Sequence, residues 1–459
     1  MPETTCYFRM PMKTPTPLKT PPFPYWALVL FLTTLACTTI TRGVQSPSPQ
    51  SAQNGLIAYL GPDGNVYTID ENGGHLTPIT QDAQRQLNSG NSIRLYQHPT
   101  WSHDGRHLAF VAIEVSEGEQ IARLLVATSE TAEITEIFSD SAETPFYLYW
   151  SPDNERVSFL TSAPNAPHLF LRLAFLNGED SRIVDTGQPY YWVWAPGGEQ
   201  IFVHEGGSTV SNPDARLSLF SPDDDPSPYV GAGPTQSFAL SAGIFQAPAW
   251  SPDGERLLAA IKGEGQGELT LLDRNGAATQ TIAQFNTSIS FSWSPNGEQI
   301  AYLATTPESG GFLGPLTLLS NADPASRRVT SEETVLAYFW APDSQKIAYL
   351  TPDTSEGINA SLISTQAQAS FQLALHVMDV QTGATHSLTT FQPTDDFLSI
   401  LPFFDQYHHS ATLWSPDSTK LVYPALNGDN EAGVWVVQAD GGTPPALLAE
   451  GTLAFWSWK

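Results

Sequence analysis

The chain has 459 residues, 41% of them apolar, enough to build a substantial core in one large or two or three ordinary domains, so wholesale disorder is excluded. Its 20 Lys and Arg face 47 Asp and Glu, a formal charge of -27 that repels phosphate backbones and argues against nucleic acid as a partner. The two cysteines, Cys6 and Cys37, supply neither a disulfide framework nor a cysteine-rich zinc site.

In chain order, residues 1 to 24 carry Arg9, Lys13 and Lys19 against one acid, Glu3, and lead into the apolar run from Tyr25 to Ala36, followed by Cys37. That is the layout of a secretory leader. Twelve helical residues span about 18 Å, short of the roughly 30 Å hydrocarbon core, so a stable transmembrane helix is the weaker reading. Leu35-Ala36-Cys37 resembles the lipobox of bacterial lipoproteins, which implies cleavage before Cys37 and diacylation of its sulfur. Ordinary secretion and an uncleaved anchor are the alternatives. On this reading residues 1–36 are signal peptide and residues 37–54 a flexible Ser/Thr/Pro/Gln-rich tether. The remainder stays strongly acidic, so attachment to the cell membrane or outer membrane rests on acyl chains rather than on charge. The expected location is extracytoplasmic.

From residue 55 onward a repeat decides the architecture. Trp followed by Ser or Ala, usually Pro, then Asp, Asn or Gly recurs at Trp101-Ser-His-Asp-Gly, Trp150-Ser-Pro-Asp-Asn, Trp194-Ala-Pro-Gly-Gly, Trp250-Ser-Pro-Asp-Gly, Trp293-Ser-Pro-Asn-Gly, Trp340-Ala-Pro-Asp-Ser and Trp414-Ser-Pro-Asp-Ser, with a truncated copy at Trp456-Ser457. Pro presets φ for a tight hairpin turn, while Asp, Asn and Gly tolerate its unusual dihedrals and bond the local backbone. A short apolar strand follows each turn. In Ile347-Ala-Tyr-Leu350 both alternating faces are apolar, which predicts a strand covered on two sides. Two further strands, such as Glu268 to Asp273 and Gln280 to Ala283, make four per unit, and helices are expected to be scarce. Repeated four-stranded sheets with both faces covered describe an all-β fold, a β-propeller.

These residues resemble the TolB-type, WD-repeat-like propeller family, whose blades carry a Trp-Ser-Pro-Asp-Gly hairpin followed by an Ile-Ala-Phe-like strand; similar blades cover the active site of prolyl oligopeptidases. The resemblance spans residues 55–459 and concerns the blade framework, so it implies the fold and, for function, only an extracytoplasmic complex with an unspecified partner. Residues 55 to 81 hold three strands and lack the Trp strand, which residues 451 to 459 supply. Joining them predicts eight blades and removes exposed strand edges. The eight repeat tryptophans, Trp101, Trp150, Trp194, Trp250, Trp293, Trp340, Trp414 and Trp456, are read as packing between blades.

The long insertions, residues 204–214, 222–246, 305–313, 352–369 and 391–411, are expected on the end of the blades opposite the Trp-Ser-Pro turns, where function concentrates. The richest holds Phe403, Phe404, Asp405, Gln406, Tyr407, His408 and His409, residue types that bind sugars or peptides. The plainer reading is a loop whose Phe403, Phe404 and Tyr407 fill the central opening. Metal ligation is disfavoured because two adjacent histidines on a strand point to opposite sides. Asp223-Asp-Asp225 carries calcium-type oxygens, although acidic loop triplets are usually just solvated.

No Gly-x-Ser-x-Gly elbow, His-Glu-x-x-His or Gly-x-x-x-x-Gly-Lys occurs, and no α/β-hydrolase domain follows Lys459. Gly263-x-Gly265-x-Gly267 falls in an expected hairpin and reads as a turn. These observations favour a monomeric binding or scaffolding propeller without cofactor over a loop-built hydrolase or lyase acting on extracytoplasmic polymers. The partner is an unspecified protein, peptide or glycan.

Overall fold

The computed structural model describes residues 55–459 except 86–91, 165–167, 207–214, 224–235, 239, 241, 243–245, 306–312, 322–325, 330–333 and 354–370. The expected signal peptide, Cys37 and the tether lie outside the described residues, as do Asp224, Asp225 and most of the insertions at 204–214, 305–313 and 352–369. No described helix is long and apolar enough to cross a membrane.

Short runs rich in β-branched and aromatic residues form the strands, and their burial shows why they are apolar on both faces. Ile57–Leu60 is buried at every position, and Ile347 to Leu350 are at most 1% exposed, so each sheet is covered on its two sides. Six sheets have four antiparallel strands and one has seven. One four-stranded sheet joins the two ends of the described chain. Its order is Thr77–Pro78, Val66–Ile69, Ile57–Leu60, Leu453–Trp456, with Ile57 opposite Trp456 and Leu60 opposite Leu453.

Seven sheets are found where the repeat predicts eight, and one of them has seven strands. Strand Thr385–Pro393 pairs with its own neighbour Leu373–Asp379 and then, through Gln392 and Pro393 alone, with Leu426 and Ala425 of Lys420–Leu426. The Trp414 segment is reduced to a bridge to Leu421, while Thr412 bridges Trp456.

The turn motif is built as a clamp. Ser102 Oγ donates to Asp104 Oδ1 at 2.6 Å and accepts from His107 N at 3.0 Å, and Asp104 Oδ1 accepts from Arg106 N. Ser294 and Ser415 repeat this with Asn296 and Asp417. The fifth motif position has positive φ in all seven turns, which favours Gly; Asn154, Ser344 and Ser418 are the exceptions. Each of these offers compensation across sheets. Asn154 Oδ1 accepts from Asp104 N, Ser344 Oγ from Asn296 N and Ser418 Oγ from Asp343 N, at 3.0 to 3.2 Å.

The repeat tryptophans latch neighbouring sheets. Trp150 Nε1 donates to Thr100 O at 2.9 Å, Trp414 Nε1 to Phe339 O at 2.9 Å, and Trp101 Nε1 to Phe455 O at 3.4 Å. In each case the acceptor is the residue just before the Trp of the adjoining sheet. Trp194 and Trp340 reach Ser158 Oγ and Ser292 Oγ instead. Seven of the eight rings are at most 7% exposed, Trp340 being partly buried.

One insertion departs from its expected end of the sheets. Residues 221 to 235 join Arg216–Phe220 to Gln236–Ser237, a third-to-fourth connection, so this part of 222–246 leaves on the same end as the Trp-Ser-Pro turns. Asp223 accordingly pairs with Arg156 Nη1 at 2.9 Å beside the Ser151 turn, which occupies its carboxylate with a guanidinium.

Candidate functional site

The segment between Thr385–Pro393 and Trp414 is helical, not the loop or strand expected. Thr394 caps helix Asp395–Ile400 by accepting from Phe397 N, and Asp395 and Asp396 sit in the first turn, where carboxylates favour a helix. A 3-10 turn Leu401–Phe403 and a short helix Phe404–Tyr407 follow, placing His408 and His409 just after the last turn. The two imidazoles therefore lie together, ring centroids 3.9 Å apart, rather than on opposite sides of a strand.

The segment packs against the first strands of several sheets. Gln406 Nε2 donates to Tyr147 OH at 2.6 Å and to Trp192 O at 2.9 Å, while the Tyr147 hydroxyl donates to Gln406 O at 2.7 Å. Phe404 lies edge-on to Tyr338, Tyr407 edge-on to Tyr147, and His409 stacks on Tyr149 at 5.8 Å. Ala247 N donates to Asp405 Oδ2 at 3.3 Å. Of residues 403–409 Phe403 alone is exposed, at 50%.

Burial sets the protonation states. It pushes the Asp405 carboxyl up to about 6, against bonds from the Ala247, Asp405 and Gln406 backbone that favour the carboxylate. It lowers His408 to about 4 and His409 well below its ordinary value, His408 and His103 adding to the latter effect. Both imidazoles are neutral at pH 7. Among the described residues no group of three or more His, Cys, Asp or Glu is placed to hold a metal.

Beside His408 and His409 lies a partly enclosed cavity of about 180 Å³ walled by Trp250, Trp293, Trp340 and Trp458. Among the described residues no Asp, Glu, Lys or Arg lines it. Trp458 also approaches His103, whose imidazole contacts Trp150 O at 3.3 Å and meets Tyr149 edge-on. His103 escaped the sequence reading of the site, yet the repeat marks it, since every other complete copy has Pro at that position.

Successive antiparallel sheets, most of them four-stranded and five of them tied to a neighbouring sheet by the indole of a repeat tryptophan, define the class: this is a β-propeller. No family model matches the chain and no curated protein matches it. Among solved structures it is similar to a dihydro-heme d1 dehydrogenase, with a TM-score of 0.50 at 14% identity over 88% of this chain and 75% of that one. It is similar also to a prolyl endopeptidase, with a TM-score of 0.50 at 10% identity over 79% of this chain and 50% of that one. TolB from Acinetobacter baumannii matches with a TM-score of 0.37 at 14% identity, over 82% of this chain and 86% of that one. At these identities the likeness concerns the fold alone.

Proposed function

We propose that this chain is a surface-anchored, extracytoplasmic binding or scaffolding propeller of eight blades, closed by its terminal strands. Two features support the count and closure. The seven-stranded sheet is joined across its middle by only two residue pairs, which divides it into a four-stranded and a three-stranded blade, the latter extended by Trp414. The indole of Trp101 also reaches the carbonyl of Phe455 across the paired ends. The basic leader and Leu35-Ala36-Cys37 support an anchor lipidated at Cys37.

The observation that carries a binding rather than a catalytic role is the packing of the 403–409 segment. Asp405 and Gln406 are buried against neighbouring sheets and the histidines are neutral, so the segment offers rigidity and shape rather than an accessible acid and base.

The test is made in intact cells expressing the full chain. Metabolic labelling with a palmitate analogue should mark the wild type and leave Cys37→Ser unlabelled and released. Lysine- and carboxyl-directed cross-linking of the anchored protein should give a discrete adduct, and purified protein should turn over no peptide, ester or polygalacturonate. Turnover without any adduct would replace the binding reading with the loop-built enzyme.

A further inference from the structure

The sheet that runs Ser92–Trp101, His107–Ser116, Glu119–Thr128, Ile134–Asp140 ends on a strand with no neighbour beyond it. At roughly 3.3 Å per residue, Ile134–Asp140 presents about 23 Å of strand edge, the form in which a sheet accepts another extended chain. Such edges are usually blunted by Lys, Pro or a bulge, and Ile134-Thr-Glu-Ile-Phe-Ser-Asp140 has neither Lys nor Pro. It does carry a bulge, Ile137 being unmatched between the pairs Leu124–Phe138 and Leu125–Glu136. The outer strand Ala278–Phe285 has the same bulge at Ile282, and there Arg327 Nη2 of the next sheet donates to the Ile282 carbonyl at 2.9 Å. On Ile134–Asp140 the side-chain bonds are those of Glu136 to Arg123 and of Asp140 to its own turn, so among the described residues the Ile137 carbonyl has no such cover. A groove of about 420 Å³ runs beside this edge, lined by Thr135 to Asp140 and by Arg172 and the hairpin that joins Leu169–Phe175 to Arg182–Gly187 in the next sheet. Its one cation is engaged, Arg172 Nε and Nη2 donating to Glu143 at 2.7 and 2.8 Å, and Glu136 is paired with Arg123 at 2.9 Å. Asp140, Glu179 and Asp180 line the groove with no cationic partner among the described residues.

We infer that this edge and groove dock an extended basic segment of another protein, which joins the sheet as a fifth strand. An open strand edge selects an extended polypeptide, since the bonds it offers are main-chain bonds. The three unpaired carboxylates select Lys or Arg at alternate positions of the added strand, and Ile134, 41% exposed, offers apolar contact to the residues between them. A second copy of this chain is the wrong occupant, because at a formal charge of -27 it is repelled. The inference rests on the binding reading above and names its partner class.

The experiment titrates the full chain into a fluorescein-labelled peptide of alternating Lys and Val, as long as the strand it is to pair with, and reads polarisation and amide hydrogen exchange. Saturable binding tighter than about 300 μM should appear, with exchange slowed over residues 134–140. Two further peptides carry N-methyl groups on the odd or on the even amides; the set that faces the edge should abolish binding, and the other set should leave it. Glu179→Lys with Asp180→Lys should weaken binding at least about 10-fold, against less than about 2-fold for Glu264→Lys with Asp429→Lys, which makes the same charge change at exposed positions on other sheets. No binding below about 1 mM, equal responses to the two methylated peptides, equal weakening by the two double variants, or slowed exchange confined to another strand would each overturn the proposal. The cellular cross-linked adduct is read separately, so its persistence with a failed titration discards only this edge, and its absence discards the binding reading.

Discussion

Asp405 is a carboxyl placed where water does not reach, with a backbone N–H at 3.3 Å as its nearest donor from another element. Its folded-state value of about 6 exceeds the unfolded value of about 3.9, so the native state holds the extra proton between those limits. The stability it contributes is therefore present below about pH 4 and lost as pH rises through 6. Asp405→Asn removes that loss while keeping shape and one acceptor. Urea denaturation at pH 8 should find the variant more stable than the parent by about 1–3 kcal/mol, with the gain gone below about pH 4. A loss at pH 8 would mean that the carboxylate is well paired. His98, His204 and His408, each lowered to about 4 by burial, slope the other way: their cost is absent above about pH 6.5 and grows as pH falls toward 4. The parent profile sums opposing slopes, and the difference between variant and parent isolates Asp405.

At the scale of the element, the indole latch is a repeated hydrogen bond whose value varies by position, which the chain itself allows to be measured. Trp150 donates to a buried carbonyl, whereas Trp293 has no partner for its N–H. Replacing Trp150 by Phe therefore removes packing and a bond, and replacing Trp293 by Phe removes packing alone. Chemical denaturation should find Trp150→Phe more destabilised than Trp293→Phe by about 1 kcal/mol, and equal losses would deny the latch an energetic role. The latch position was legible because Trp recurs with a turn signature behind it. Its acceptors were not, since they lie in a different unit some 50 residues away and no local pattern marks a carbonyl. The helical segment at 395–407 illustrates the opposite limit. Thr394-Asp-Asp396 is a start signal readable by eye, but two short helices joined by a 3-10 turn sustain no helical period, so periodicity passed over them. The residue types of the candidate site were therefore visible, and their burial was set by Tyr147, Trp192 and Tyr338 from distant units.

Across the whole molecule, stability hangs on what the final residues do for the first. Leu453–Trp456 pairs along the full length of Ile57–Leu60, and the Phe455 carbonyl receives the Trp101 indole of the next sheet. Ser457 adds hydrogen bonds to Leu56 from both backbone and side chain, its N donating to Leu56 O at 2.7 Å and its Oγ accepting from Leu56 N at 2.9 Å. Deleting residues 452–459 leaves Ile57–Leu60 as an unpaired, wholly apolar edge and strips Trp101 of its acceptor. Such an edge is a template for pairing with other chains. If the ring closes as proposed, the loss cannot stay local, because each sheet is then covered on both faces by its neighbours and one removed strand uncovers the flanking ones. The truncated chain should melt at least about 5 °C below the parent and elute earlier, as soluble aggregate, in size-exclusion chromatography. An open arc of independently stable sheets would instead lose only its terminal sheet, so a truncated chain that elutes like the parent and keeps its main transition would refute closure.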